Sequence, residues 1–219
     1  MAHDQQQDFF NRVKQAYPKY FSDVKVLDIG SLDINGNIKH VFDHPFYYVG
    51  VDLAQGPNVD VVCPGHLYDS GFQFDVVTSA ECFEHDMYYS RTLQNMVRLL
   101  RPGGLMLFTC ASTGRPEHGT LRSNPFDAPF LEGIDEKWAN YYKNLTEDDI
   151  RAVIEINNTF SDFNFEYEPP PIQKLPFRVR QWTLRLMNHC LQGNRKSSLQ
   201  SSYLSVKIHR CLFSKYRYQ

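Results

Sequence analysis

The sequence lacks the features that would indicate a disulfide-stapled, zinc-knuckle or membrane-spanning protein. Its five cysteines are odd in number, widely spaced and form no CxxC pair, which argues against a disulfide framework and a zinc knuckle. No apolar run approaches the length that crosses a bilayer, and the amino terminus MAHDQQQDFF has no secretion-signal layout. We therefore expect a chain without a membrane span, located in a reducing cytoplasm.

The chain also lacks an excess of positive charge. Its 219 residues carry a formal net charge of −2, so a nucleic-acid partner is disfavoured. Hydrophobic residues make up 42% of the chain and charged residues 22%, which is the balance of a folded globular protein. At this length one elaborated domain over residues 1–219 is expected rather than two domains, and the oligomeric state is left open.

Strand-like and helix-like segments alternate along the first half of the chain. Between the fourth and fifth apolar runs, the spacing of Leu93, Met96, Val97 and Leu100 predicts a helix over Met87–Leu100. This alternation predicts an α/β fold with a doubly wound, mostly parallel sheet. The predicted strands are Lys25–Ile29, Phe46–Leu53, Val59–Cys63, Phe74–Ala80, Leu105–Ala111, Phe163–Tyr167 and Tyr203–Cys211.

The second half of the chain is expected to complete the sheet. Thr146 is predicted as the N-cap of a helix that runs to about Asn158, and a second helix is predicted over Arg178–Leu191. The last strand, Tyr203–Cys211, alternates polar and apolar residues. We therefore expect it to be antiparallel and to lie at the edge of a seven-stranded sheet.

Residues that can carry chemistry stand where successive strands end. The run Asp28-Ile29-Gly30-Ser31 closes the first strand, and Asp52 closes the second about twenty residues after Gly30, near the separation at which an acid meets a ribose. Glu81 follows the fourth strand in SAECFEHD. A strand that ends in a glycine and a polar turn before a helix is expected to present backbone N–H groups to a ligand.

Taken in order, these motifs resemble the class I S-adenosylmethionine-dependent methyltransferases, in the branch that acts on small molecules and glycans. VLDIGS resembles the first motif of that family, GVDL the second, FDVVTSAECFEH the fourth-strand motif and LLRPGGLMLFT the fifth. The match covers residues 24–111 and implies a Rossmann-like fold. One departure is that Leu32 and Ile34 stand where the family has its second and third glycines.

The resemblance implies S-adenosyl-L-methionine as the cofactor and assigns parts of it to particular residues. Asp28 and Gly30 would face the methionine, Asp52 would hold the ribose hydroxyls, Leu53 would pack against the adenine, and Glu81 would lie near the sulfonium or the amino group. The loop after the third strand would contact the adenine edge. The implied cofactor-binding residues are Asp28, Gly30, Ser31, Asp52, Leu53, Cys63, His66 and Glu81.

A glycine-, proline- and aromatic-rich insertion, Ser112–Asn144, separates the cofactor-binding half (residues 24–111) from the rest of the sheet (residues 145–219). An insertion of this length in a compact domain favours a functional role, and we predict a lid over the acceptor. Its aromatic residues Trp138, Tyr141 and Tyr142 are the predicted substrate-binding residues, although lid packing is an open alternative for the tyrosines.

Two histidines are the predicted general bases. His85 lies one turn beyond Glu81, and His118 lies in the insertion; an imidazole suits proton transfer because its ordinary pKa lies near neutrality. A bracing role is an open alternative for each histidine. A divalent metal held by His85, Asp86, Glu117 and His118 is chemically possible, but this spacing matches no known metal signature, so no metal is predicted.

The function predicted from the sequence is methyl transfer from S-adenosylmethionine to a small molecule or saccharide, with an oxygen favoured over a nitrogen as the acceptor atom. The segment SAECFEH contains no Asn-Pro-Pro-Tyr-type motif, which disfavours methylation of a base amino group. Two alternatives remain. One is a non-catalytic cofactor-binding partner protein, and the other is a nucleotide-dependent oxidoreductase, disfavoured because the chain lacks GxGxxG.

Overall fold

The computed structural model describes residues 4–34, 36–124, 135–168 and 203–210. Within these residues no helix is long and apolar enough to cross a membrane. The helices are α1 (Asp4–Ala16), α2 (Tyr89–Leu99), α3 (Glu136–Ala139), α4 (Glu147–Val153) and α5 (Ile156–Thr159). The strands are β1 (Lys25–Ile29), β2 (Tyr47–Asp52), β3 (Val61–Val62), β4 (Phe74–Ala80), β5 (Leu100–Ala111), β6 (Phe160–Glu168) and β7 (Tyr203–Arg210).

The strands pair into one sheet in the order β3-β2-β1-β4-β5-β7-β6. Strands β1 to β5 are parallel to one another, so the predicted α/β fold with a parallel sheet is confirmed. The predicted antiparallel edge strand is wrong, because β7 is antiparallel but pairs on one side with β5 and on the other with β6. Residue alternation indicates which face of a strand is covered, but it does not reveal how many neighbours the strand has.

Two apolar layers cover the sheet because alternate residues of its central strands point to opposite faces. On one face, Val77 and Phe108 pack with Leu93 and Met96 of α2. On the other face, Val76, Leu105 and Leu107 pack with α1 residues and with the segment that precedes β1. The second layer depends on α1, a helix that the sequence analysis did not predict, whose residues Phe9 and Phe10 are almost fully buried.

Several predicted elements differ from the observed ones at their ends. Helix α2 starts two residues later than expected, whereas β5 starts earlier, since Leu100 already pairs with Phe74 before a register shift. The N-cap at Thr146 is confirmed, and Thr146 and Asp149 form a capping box. The helix it starts ends at Val153, and α5 follows as a separate element. The predicted helix Arg178–Leu191 lies outside the described residues.

The turn after β1 approaches the turn after β4 closely. Gly30 has a φ of 78°, and a Cβ added there would lie 2.5 Å from Cys82 Cβ and 2.6 Å from Cys82 Sγ. The Gly30 N–H donates to the carbonyl of Val51 on β2 at 2.8 Å. Gly30 therefore links the ends of three strands, and a side chain at this position would push them apart.

We expect Gly30→Ala to lower the free energy of unfolding by about 1–3 kcal/mol more than Gly71→Ala, because only the first substitution also creates an overpacked contact. Gly71 is a matched control, since its φ is 70° and an added Cβ would meet nothing within 4 Å. Urea unfolding of both variants measures the difference. Equal losses in the two variants would show that the contact with Cys82 relaxes at no cost.

Candidate active site

A cleft opens at the carboxyl ends of β1, β2 and β4, which is the edge where open α/β sheets bind ligands. Most of the predicted cofactor residues line it, namely Asp28, Gly30, Ser31, Asp52, Leu53, Cys63 and Glu81. The predicted catalytic His85 and the predicted substrate-binding Trp138 line it as well.

Asp28 is a buried carboxyl at the end of β1. One of its oxygens accepts a 2.6 Å hydrogen bond from the Tyr48 hydroxyl, and the other oxygen has no hydrogen-bond partner among the described residues. Burial raises the pKa of Asp28 to about 7, the Tyr48 bond opposes the rise, and the nearby Asp52 charge adds to it. Asp28 is thus poised to accept a hydrogen bond from a ligand.

Asp52 is anchored by the backbone around it. Its Oδ2 accepts from the Leu32 N–H at 3.0 Å and its Oδ1 accepts from the Leu53 N–H at 2.7 Å. Burial raises the pKa of Asp52, and these backbone bonds oppose the rise. Because each carboxylate oxygen has more than one acceptor site, the side chain is held in position and can still accept from ligand hydroxyls.

The backbone N–H groups of the turn after β1 are used within the protein. Gly30 and Ser31 both donate to Val51 O, at 2.8 and 3.2 Å. No α-helix follows this turn in the described residues, since the regular structure described between β1 and β2 is a 3-10 turn over Lys39–Val41. The cradle of N–H groups that a pyrophosphate needs is therefore not formed here.

The loop after β3 supplies one of its two predicted cofactor residues to the cleft. Cys63 lines the cleft, and its N–H donates to Asp52 O at 2.8 Å. The structure does not place His66 in the cleft lining. The His66 ring instead packs against Tyr88 with 4.5 Å between ring centroids and lies 6.4 Å from Trp138.

Glu81 occupies a strained position directly after β4. It has a positive φ of 52°, a region that non-glycine residues seldom adopt and that often marks functional sites. Its Oε1 is buried without a hydrogen-bond partner in the described part of the chain, and burial raises the pKa of its carboxyl. The turn therefore holds an acid against the cleft at a cost in backbone energy.

Two histidines and a tyrosine from the turn after β4 and from the insertion meet beside the cleft. The His85 ring lies 5.1 Å from the His118 ring and 5.5 Å from the Tyr142 ring, and His118 lies 5.1 Å from Tyr142. His118 Nδ1 lies 3.1 Å from Pro116 O, which also accepts from the Tyr142 hydroxyl at 3.2 Å. Burial and then the neighbouring His118 lower the pKa of His85 to about 3. The His85 imidazole is therefore neutral at physiological pH.

The described parts of the insertion are docked onto the turn that follows Glu81. Trp138 Nε1 donates to His85 O, and the Lys143 N–H donates to Glu84 O, both at 2.9 Å. Trp138 is buried and packs with Leu53. Tyr141 is half-buried and does not line the cleft, and burial raises its pKa. Of the aromatic residues in the described parts of the insertion, Trp138 lines the cleft wall.

A buried acid that the sequence analysis missed lies between the two groups of site residues. Glu84 is fully buried, and neither of its carboxylate oxygens has a hydrogen-bond partner within the described ranges. Burial and then the Glu81 charge raise the pKa of Glu84 to about 8. The spacing Glu81-Cys-Phe-Glu84-His85 was visible in the sequence, but periodicity could not show that Glu84 points inward.

The ligand set considered for a metal in the sequence analysis is not assembled. Asp86 accepts from Thr92 Oγ1 and from the Tyr88 N–H, so its carboxylate is held at the start of α2. The exposed Glu117 pairs with Arg122 and Thr120. The structure brings Glu84, His85 and His118 together instead.

Comparison with known proteins defines the class of the chain. The family model described as a methyltransferase domain matches residues 1–148, so the chain belongs to the methyltransferase domain family. This confirms the predicted membership among S-adenosylmethionine-dependent methyltransferases and the predicted enzyme class. No curated protein matches the sequence significantly.

Solved structures share the fold at low sequence identity. The 1,6-didemethyltoxoflavin-N1-methyltransferase of Burkholderia thailandensis, solved with S-adenosylhomocysteine, has a TM-score of 0.57 at 16% identity over 95% of this chain and 81% of its own. A SAM-dependent methyltransferase of Archaeoglobus fulgidus has 0.55 at 14%, over 93% and 94%. The N-methyltransferase NodS of Bradyrhizobium japonicum with S-adenosylhomocysteine has 0.52 at 12%, over 95% and 88%.

The raised pKa of Asp28 gives a test of the site's electrostatics. A carboxyl whose pKa is higher in the folded state contributes stability below its unfolded pKa, and this contribution is lost as the pH rises through the folded value. Between about pH 4 and pH 7 the free energy of unfolding of the parent should therefore fall by about 4 kcal/mol relative to that of Asp28→Asn, at about 1.4 kcal/mol per pKa unit. Urea unfolding of the cofactor-free proteins across this range measures the difference.

Asp69→Asn is the control for this experiment. Asp69 is paired with Arg98, which holds its pKa below the ordinary value, so its titration falls below this pH window. Asp69→Asn should keep the pH slope of the parent. If the free energies of unfolding of the parent and of Asp28→Asn changed in parallel with pH, a buried carboxyl with a raised pKa at this position would be contradicted.

Proposed function

We propose that this protein transfers the methyl group of S-adenosylmethionine to an oxygen of a small molecule or saccharide that binds between the cleft and the insertion. The observation that carries the proposal is the chemistry of the cleft, whose wall presents buried hydrogen-bond acceptors without partners. The proposed acceptor side is the wall formed by His85, His118, Tyr142 and Trp138. Nitrogen is the second candidate for the acceptor atom, because similar folds include N-methyltransferases.

The residues of the cleft fit the cofactor. S-adenosylmethionine carries donors on its amino group, ribose and adenine, and its sulfonium and ammonium are positive. The cleft offers Asp28 Oδ1, Ser31 Oγ and Glu81 Oε1, which have no hydrogen-bond partner in the described part of the protein, together with the anchored carboxylate of Asp52. Acceptors and negative charge on the protein thus match donors and positive charge on the ligand.

We assign the parts of the cleft by position along the sheet edge. Asp52, at the end of β2, would accept from the two ribose hydroxyls, and Leu53 and Cys63 would flank the adenine. Asp28 and Ser31, at the end of β1, would bind the methionine part, where Gly30 sets the turn. Glu81, at the end of β4, would face the amino group or the sulfonium. His66 braces the adenine side through Tyr88, since its ring packs there.

When bound, the cofactor supplies a methyl group that its sulfonium already activates. The task left to the chain is to align the acceptor oxygen with the carbon–sulfur bond and to let its proton leave. An oxygen–carbon bond forms, the carbon–sulfur bond breaks with its electron pair passing to sulfur, and the acceptor proton leaves. His118 and His85 are the proposed groups that handle the acceptor oxygen, and Trp138, Tyr141 and Tyr142 are proposed to form its binding surface.

The two alternative functions predict different ligand binding. An oxidoreductase would need backbone N–H groups for a pyrophosphate, and the turn after β1 has its own N–H groups paired. A non-catalytic cofactor-binding protein would bind S-adenosylhomocysteine without turning over any acceptor. The strained backbone at Glu81 supports a catalytic function, because such strain is maintained at functional sites.

Asp52→Ala should weaken S-adenosylhomocysteine binding by about 1.5–3 kcal/mol, which is the range for a hydrogen bond to a charged group. Isothermal titration calorimetry measures the affinity, with NAD as the competing ligand class. Asp43→Ala is the matched control, since Asp43 forms a surface pair with Lys14 and should leave the affinity unchanged. Unchanged affinity in Asp52→Ala, or tighter binding of NAD than of S-adenosylhomocysteine by the parent, would contradict the proposed cofactor site.

A further inference from the structure

Three side chains that can ligate a metal converge beside the cofactor cleft. Glu84, His85 and His118 each offer one ligand atom, and these three atoms all lie within 4.8 Å of one another. Three ligand atoms about 2.0–2.2 Å from one ion at tetrahedral angles lie about 3.4 Å from one another. Side-chain rotations that close the present separations by up to about 1.4 Å would therefore bring all three into coordination distance.

Buried polar atoms without partners point into this cluster. Glu84 is fully buried, and both of its carboxylate oxygens are without hydrogen-bond partners among the residues described, as is His85 Nδ1. A buried carboxylate without a hydrogen bond or counter-ion is costly. The Lys143 N–H of the insertion donates to the backbone oxygen Glu84 O rather than to the carboxylate. A bound cation would satisfy these atoms.

The surroundings of the two imidazoles suit metal ligation. His118 Nδ1 lies 3.1 Å from Pro116 O, and since a carbonyl can only accept, Nδ1 carries the proton and Nε2 carries the lone pair. A backbone carbonyl on the distal nitrogen is a typical outer contact of a metal-ligating histidine. The His85 ring packs edge-on against the rings of His118 and Tyr142, and its backbone carbonyl accepts from Trp138 Nε1.

We propose that Glu84, His85 and His118 form a binding site for one divalent first-row transition-metal ion at the acceptor side of the cleft. Two imidazoles and a carboxylate suit such ions better than Mg²⁺ or Ca²⁺, which prefer all-oxygen sites. The sequence analysis predicted no metal because it considered Asp86 and Glu117, whose carboxylates are used elsewhere.

A metal ion at this site would take part in the proposed methyl transfer. Its catalytic role therefore rests on the proposed function, whereas metal binding itself does not. Three protein ligands leave at least one coordination position open, and His85 and the neighbouring Glu81 both line the cleft. A hydroxyl oxygen of the acceptor that takes the open position becomes more acidic, and its proton passes to water. The two histidines then act by holding the ion rather than as general bases.

The test uses the full chain, freed of metal with a chelator, and titrates it with Co²⁺ alone and with Mn²⁺ alone. Visible absorption of bound Co²⁺ and calorimetry report the stoichiometry and the affinity. We expect one ion per chain, and we expect Glu84→Gln and His118→Ala each to weaken binding by at least about 10-fold. Glu117→Gln, which removes an exposed acid one residue before His118, is the matched control and should bind like the parent.

Two measurements keep the outcome unambiguous. Melting temperatures of the metal-free variants show whether they fold, and Glu84→Gln is expected to melt no lower than the parent because it removes a buried acid next to Glu81. S-adenosylhomocysteine binding by the metal-free protein tests the proposed function separately. Absence of Co²⁺ and Mn²⁺ binding by the parent, or equal affinity in the parent, Glu84→Gln and His118→Ala, would overturn the metal site while leaving the cofactor site standing.

Discussion

The accumulation of buried carboxyl groups at one edge of the sheet is the constraint on which the rest of the site depends. Asp28, Asp52, Glu81 and Glu84 lie at or just after the ends of β1, β2 and β4, and burial raises the pKa of each. Carboxyls in such a place are either protonated or balanced by positive charge. This edge of the sheet therefore favours the binding of positively charged groups. A sulfonium cofactor and the proposed divalent ion are two such groups.

The parallel half of the fold could be predicted because its signals are local. Strands β1 and β4 have the same bounds in the sequence analysis and in the structure, since each is an apolar run that stops at a polar turn. The position of β7 could not be predicted, because the pairing of an antiparallel strand depends on partners distant in sequence. Helix α1 was missed because its sequence, DQQQDFFNRVKQA, is mostly polar, and its stability comes from packing against the sheet.

The residues of the candidate site also fall into those that local sequence signals predict and those that they do not. Residues that follow directly from the ends of strands, such as Asp28, Asp52 and Glu81, were expected in the cleft and line it. His66 lies outside the cleft lining, and Glu84 was not expected at the site, because the positions of both side chains depend on how short turns orient them. The meeting of His85 and His118 brings together residues from the turn after β4 and from the insertion, and a linear pattern cannot report the distance between them.

The way in which the insertion is attached bears on how acceptor preference can diverge between related enzymes. The bonds that dock it use the carbonyl groups of Glu84 and His85 rather than their side chains. Substitutions at these two positions would thus leave the docking bonds available while changing the side chains beside the cleft. Attachment of the insertion and side-chain chemistry belong to different atoms of the same two residues, so either can be varied while the other is retained.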